Sequence, residues 1–162
     1  MTAGRRATRD DAEAISSLVC RCYEGFRQTD GWSKDIVRAV QQGRGSPECI
    51  RRLIEEETVF VAHQGPAILG VVSVKANEIT KLYVDPEHQR RGVGSRLFAR
   101  AEAEIRRRGF TGMFLGAAVS SPLPFYEKMG MRIRERRRID RGPCAGMTST
   151  ILEKGKGDRL LF

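Results

Sequence analysis

Residues 85–97 read DPEHQRRGVGSRL. Gln89, Arg90 and Arg91, three bulky donors, stand directly before Gly92, and Val93, Gly94 and Ser95 follow where a helical pattern begins. That order suits an anion. The first turn of a helix leaves amide N–H groups without intrahelical partners, and these groups, with the helix dipole, favour negative charge. Glycine at 92 and 94 removes side chains that would hold a phosphate away from the backbone, while the arginines add charge at the rim. The competing reading is a basic surface turn with glycines for flexibility. The spacing matches neither of two familiar phosphate loops: G-x-x-x-x-G-K-[ST] is absent, and so is G-x-G-x-x-G.

Such a loop needs a strand leading in and a helix leading out. EITKLYV (78–84) has strand composition, and after the loop Leu97, Phe98, Ala101 and Ile105 share one helical face, with Arg and Glu opposite, as far as Gly109. TVFVAH (58–63) and AILGVVSV (67–74), broken by QGP, read as a hairpin. TGMFLGAAV (111–119) is a further buried strand, SPLPFYEKMG (121–130) a short helix closed by Gly130, and MRIRERRRI and MTSTILEK two last strands. The first 57 residues read as mostly helical. Thr8 and Asp11 resemble an acidic capping box ahead of Ala12, Ile15, Leu18, Val19 and Cys22 at helical spacing, and SKDIVRAV and SPECIRRLIEEE form two shorter helices around the loop QQGRGSP (41–47). The order predicts one α+β or α/β domain over residues 1–162, built on a single mixed sheet.

Composition narrows the partners. The chain has 162 residues, 40% apolar and 30% charged. No apolar run approaches the roughly 18 residues of a membrane span, and MTAGRRATRDDAEAI lacks the apolar region of a secretory signal. A cytoplasmic protein without a membrane partner is expected. The net charge of +9, from 29 Lys/Arg against 20 Asp/Glu, favours polyanions. RRRG (106–109) and RIRERRRIDR (132–141) carry much of it and read as solvated faces; the second contains no aromatic residue, so nucleic acid is not expected. Cys20, Cys22, Cys49 and Cys144 have no metal or redox spacing, and Cys20 and Cys22 would point about 200° apart on a helix. His63 and His88 are too few for a histidine-rich site, so no metal is expected and the thiols read as free.

In this context LYVDPEHQRRGVGSRL (82–97) resembles the acetyl-CoA motif [RQ]-x-x-G-x-[GA] of the GNAT superfamily of N-acetyltransferases. PFYEKMGM (124–131) is similar to the second signature of that family, commonly FYEKLGF, and lies one helix and one strand further on. RRATRDDAEAI (5–15) resembles its opening, a short strand and then a helix. The resemblance covers about residues 5–154. It implies a GNAT-like, mostly antiparallel sheet of about seven strands flanked by helices, acetyl-CoA as cosubstrate, no metal, and direct transfer of the acetyl group to a primary amine of a small molecule, peptide or protein. It leaves open a homodimer, and a non-catalytic acyl-CoA sensor or interaction module on the same fold.

Carried over residue by residue, the resemblance puts pantetheine contacts on the backbone of Leu82, Tyr83 and Val84, where the fourth strand bulges and splays from the fifth. The pyrophosphate loop falls on Gln89, Arg90, Arg91, Gly92, Val93, Gly94 and Ser95. A backbone N–H, that of Val84, would stabilise the oxyanion. Tyr126 matches the tyrosine near the CoA sulfur and would protonate the leaving thiolate, against a packing role. Glu78 matches a glutamate that deprotonates the ammonium, often through water, against an exposed strand-end carboxylate; Asp85 is its rival, or a turn former. The chain departs from the family where an asparagine often precedes the tyrosine. Here VSSPLPFY carries none, Pro122 and Pro124 distort the helix, and Ser120 and Ser121 are candidates for the cofactor contacts. Tyr23 and Trp32 are candidates for the acceptor pocket or the core.

Overall fold

The computed structural model describes residues 2–155. Seven strands form one sheet: β1 (Thr2–Arg6), β2 (Thr58–Gln64), β3 (Ala67–Lys75), β4 (Glu78–Val84), β5 (Met113–Ala117), β6 (Arg132–Arg138) and β7 (Thr148–Lys154), in the spatial order β1-β2-β3-β4-β5-β7-β6. Five helices flank it: α1 (Ala12–Thr29), α2 (Lys34–Gln42), α3 (Pro47–Glu56), α4 (Val93–Arg107) and α5 (Leu123–Lys128). Neighbouring strands run antiparallel except β4 and β5, which are parallel because α4 carries the chain between them. This is the mixed, mostly antiparallel sheet of about seven strands that the resemblance implies.

The helices begin where side chains satisfy their free amides. Ser33 Oγ accepts from Ile36 N at 3.2 Å to start α2, and Ser46 Oγ accepts from Cys49 N at 3.3 Å to start α3, with Pro47 in the first turn. Asp11 takes Thr8 N at 2.7 Å and Arg5 Nη1 at 2.8 Å, joining the end of β1 to the start of α1. β1 is the element that hydrophobic periodicity overlooked. Its TAGRR has almost no apolar content, and it exists because β2 offers a partner edge.

The sheet buries both faces. α4 covers one with Leu97, Phe98, Ala101 and Ile105 against Phe60, Val72 and Leu115. α1, α2 and α3 cover the other with Ile15, Leu18, Val40 and Ile50 against Val61 and Val71. β3, sandwiched between them, is therefore buried almost end to end, which explains its continuous apolar run. α4 departs from the expected apolar-in, charged-out pattern at Glu104. That residue is only 5% exposed and takes bonds from Arg107 and Arg108, at 2.8 and 3.2 Å to Oε1. These bonds, Arg107's foremost, hold its carboxyl at about 2. Arg108 continues to Ala76 O and Thr58, so a run expected to be solvated instead ties α4 to β2 and to the β3–β4 turn. The run at β6 behaves as expected, with exposed Arg132 and Arg137 paired to Glu153 and Glu135.

Candidate active site

The parallel junction opens a gap. β4 and β5 share one registered pair, Glu78 with Phe114, and diverge beyond it. On its other edge β4 stays paired with β3 as far as Val84, and Asp85 N donates to Leu69 O at 2.8 Å. Antiparallel pairs alternate between bonded and non-bonded. Tyr83 therefore turns its amide and carbonyl toward β3, while Leu82 and Val84 turn theirs into the gap. Of the three residues expected to offer backbone there, the geometry favours Leu82 and Val84 and commits Tyr83 to the sheet. The register shift between Ser73 and Val74 leaves Thr80 as the extra residue of a bulge, so the expected irregularity lies at Thr80.

The loop follows directly. Asp85 Oδ1 accepts from Glu87 N at 3.1 Å, starting a 3-10 turn at Pro86–His88, and Oδ2 accepts from Arg21 Nη2 at 2.6 Å. Burial alone would raise the Asp85 carboxyl; the bonds from Glu87 N and Arg21 outweigh it and hold the group below its ordinary value. Asp85 is thus an engaged, charged turn former. Gln89 folds back, its Nε2 at 3.2 Å from Val84 O. Arg90 at φ 62° and Gly92 at φ 81° are both left-handed, which curls successive amides inward before α4 starts at Val93. No side chain caps α4 and its first turn holds no acid, so its leading amides stay available. Val93, 1% exposed, anchors the loop in the core, while Arg90, Arg91 and Ser95 are exposed. A Cβ on Gly94 would lie 3.4 Å from Phe125 Cζ and 3.5 Å from Val84 Cγ2. Gly94 therefore sits where the open edge of β4, the start of α4 and α5 meet.

Tyr126, on α5, is 7% exposed, and burial raises its phenol, with the Tyr83 hydroxyl adding to the effect. It is a proton donor at neutral pH. Glu78 lies at the closed end of the gap, half-buried, its carboxyl raised by burial and then by the charge of Glu57. Four residues of strand, roughly 13 Å at full extension, separate it from Leu82, so any proton it accepts there crosses water.

The proposed cofactor contacts of Ser120 and Ser121 meet a different partner. Asp30, at the end of α1, accepts from Ser120 N at 2.8 Å, Ser121 N at 3.1 Å, Ser120 Oγ at 3.2 Å and Ser121 Oγ at 2.7 Å. The turn between α1 and α2 is thereby bracketed to the connection that leads into α5. Sequence reading missed Asp30, because TDGW carries only a turn signal and its partners lie 90 and 91 residues away. Tyr23 and Trp32 are core residues, stacked with centroids 6.2 Å apart. The four cysteines are free, and burial, then Asp85, pushes the Cys22 thiol up to about 12. Among the described residues no cluster of His, Cys, Asp or Glu could hold a metal ion, and no helix is long and apolar enough to cross a membrane.

Residues 55–132 match the Acetyltransferase (GNAT) domain family. An uncharacterized N-acetyltransferase of Methanocaldococcus jannaschii is 22% identical over 137 residues, which are 81% of this chain and 61% of that protein. The chain thus spans about three fifths of the length of that curated relative. Among solved structures, a GCN5-related N-acetyltransferase from Rhodopseudomonas palustris superposes with a TM-score of 0.85 at 19% identity, over 96% of this chain and 98% of that one. The PaiA N-acetyltransferase of Thermoplasma acidophilum, solved with coenzyme A, superposes with a TM-score of 0.78 at 19% identity, over 96% and 100%. These likenesses establish the fold.

Proposed function

We propose that this chain, which carries a GNAT acetyltransferase domain, transfers the acetyl group of acetyl-CoA to a primary amine within a ternary complex, with residues 1–162 acting as one such domain. The observation that carries the reading is the open edge of β4 running into an uncapped helix start behind left-handed Gly92. Free amides at Leu82 and Val84 suit the amide-bearing arm of coenzyme A, and the curled amides with Arg90 and Arg91 suit its pyrophosphate. When bound, acetyl-CoA would supply an acetyl group already activated as a thioester.

The chain's own groups then have distinct tasks. The amide of Val84 faces the gap and would hydrogen-bond the acetyl oxygen as it gains charge. Tyr126, kept protonated by burial, would give its proton to the departing sulfur. Glu78 would take the proton of the acceptor ammonium through water, since an ordinary amine is charged at neutral pH. Asp85, already engaged by Arg21 and Glu87 N, does not compete for that role. Four free thiols fit a reducing, cytoplasmic setting.

Calorimetric titration with acetyl-CoA, followed by CoA release over a panel of amines, tests the reading. The wild type should bind and turn over. Gly92→Glu or Gly94→Glu should bind nothing while staying folded, because a carboxylate would occupy and repel the pyrophosphate position. Unchanged affinity in both variants would show the cradle to be misplaced, and binding without turnover on any amine would favour an acyl-CoA-binding module.

A further inference from the structure

Where the early helices meet the β6–β7 connection over β4, several donors lack acceptors. The bulge at Thr80 turns Lys81 to the face covered by α1, α2 and α3, beside Tyr83, with Nζ 6.0 Å from its ring centroid. Lys81 is half-buried and forms no ion pair among the described residues. Arg44, from the α2–α3 loop, reaches the same face. Its side-chain bond among the described residues goes to Cys144 Sγ at 3.5 Å, in the β6–β7 connection, and sulfur is a weak acceptor. Tyr23 meets Tyr83 edge-on with centroids 5.5 Å apart, and its hydroxyl is buried without a partner.

The acid that acts on Lys81 is Glu57, and Thr80 already donates to it. Burial first, and then the charge of Arg44, pull the Lys81 ammonium down to about 8 against that single attraction. Two cations drawn together away from bulk water without a counter-charge are held at a cost that an anion would relieve. The cluster lies one residue from Leu82, on the opposite side of β4 from α4. Three separate segments, at Lys81, Arg44 and Cys144, converge on it, and the two flanking segments line its approach.

We propose that Lys81 and Arg44 form a subsite for an anionic group, a carboxylate or a phosphate, carried by the same acceptor molecule that presents the amine. The assignment rests on the acetyltransferase reading and names the substrate class of that site. The two ends of the acceptor then meet opposite charges: its anion faces Lys81 and Arg44, and its ammonium faces Glu78 toward the closed end of the gap. A polycationic amine would instead bring like charge against Lys81 and Arg44, and would be a poor acceptor.

Two measurements decide it. In protein carrying 13C-labelled lysine, the Lys81 signal, assigned by its loss in Lys81→Met, should titrate near its lowered value in an inert buffer. Inorganic phosphate or acetate should move that midpoint upward by about one pH unit or more. The stronger of the two anions identifies which oxyanion the site takes, and a midpoint unmoved by both overturns the proposal. In CoA-release assays, amines of matched length ending in a carboxylate, a phosphate, a neutral amide or a second ammonium should rank with an anionic one ahead by about tenfold or more. Lys81→Met and Arg44→Gln should erase that preference while calorimetric affinity for acetyl-CoA stays at the wild-type level. Equal rates across the set, or a preference that survives both substitutions, also overturn it. Failure of the wild type to bind acetyl-CoA would count against the acetyltransferase reading, and the lysine titration would then judge the anion site by itself.

Discussion

Replacing Asp30 by alanine tests whether the turn after α1 positions the machinery on α5. One carboxylate accepts four bonds from Ser120 and Ser121, two of them from backbone amides. A protein hydrogen bond nets about 0.5–1.5 kcal/mol, and water can reach these exposed groups once the carboxylate is gone. Asp30→Ala should therefore cost about 2 kcal/mol, the low end of that sum. For a chain of this size the melting temperature should fall by roughly 4–8 °C. If the bracket holds the β5–α5 connection in its binding-competent position, the population of that position falls and the apparent Kd for acetyl-CoA rises in proportion, by between about threefold and thirtyfold. Asp30→Asn retains one acceptor oxygen and should recover most of the affinity. Burial alone would raise the Asp30 carboxyl, and bonds from Thr29, Ser121 and Ser120 outweigh it and lower its pKa. A carboxyl lowered by folding stabilises the fold above its ordinary value of 3.8 and loses that effect as pH falls through its lower folded value. The bracket should accordingly be intact throughout the neutral range. Calorimetry and thermal melts on the same samples separate the two effects. A lowered melting temperature with unchanged Kd would reduce Asp30 to a structural tie and refute its positioning role.

Gly70 lies under the start of α4, where an added Cβ would meet Leu97 Cδ1 at 2.8 Å, Val93 Cγ1 at 3.1 Å and Tyr83 O at 3.1 Å. Gly70→Ala should destabilise by about 1–3 kcal/mol and weaken acetyl-CoA binding as the loop is displaced, which melts and calorimetry together would show. Tyr126→Phe should keep the fold and lower kcat by about 10²-fold, and wild-type turnover would leave Tyr126 a packing role. Glu78 must be ionised to accept a proton, and its carboxyl is raised from the ordinary 4.5 by burial and then by Glu57. The rising limb of kcat/KM should accordingly start above that value and level off once both base and amine are deprotonated. Glu78→Gln should depress the rate most near neutral pH and least at high pH, and a loss equal at every pH would indicate substrate positioning instead.

Much of the loop was legible because its chemistry is local. Glycines at 92 and 94, donors before them and a helix pattern after them depend on neighbours a few residues apart, and the structure adds the left-handed turn at Arg90 without changing their order. The apolar strands were legible for the same reason, since burial on both faces leaves a continuous signature, as in β3. β1 was not, because its pairing comes from the exposed edge of β2 and not from its own side chains. Glu104 was misread because periodicity places a charge outward unless basic neighbours on the same helix can pay its desolvation, and Arg107 and Arg108 do. The contacts that join the two sides of the site were illegible for a further reason. Asp30 with Ser120, Arg44 with Cys144 and Arg21 with Asp85 link segments 90, 100 and 64 residues apart. No local pattern encodes such pairs; they arise only when helices from the first third of the chain close over β4. The cradle on α4 is thus written in adjacent residues, while the acceptor side is assembled from distant ones. Acceptor choice should therefore respond to substitutions at Lys81 and Arg44 that leave the loop, and its affinity for acetyl-CoA, untouched.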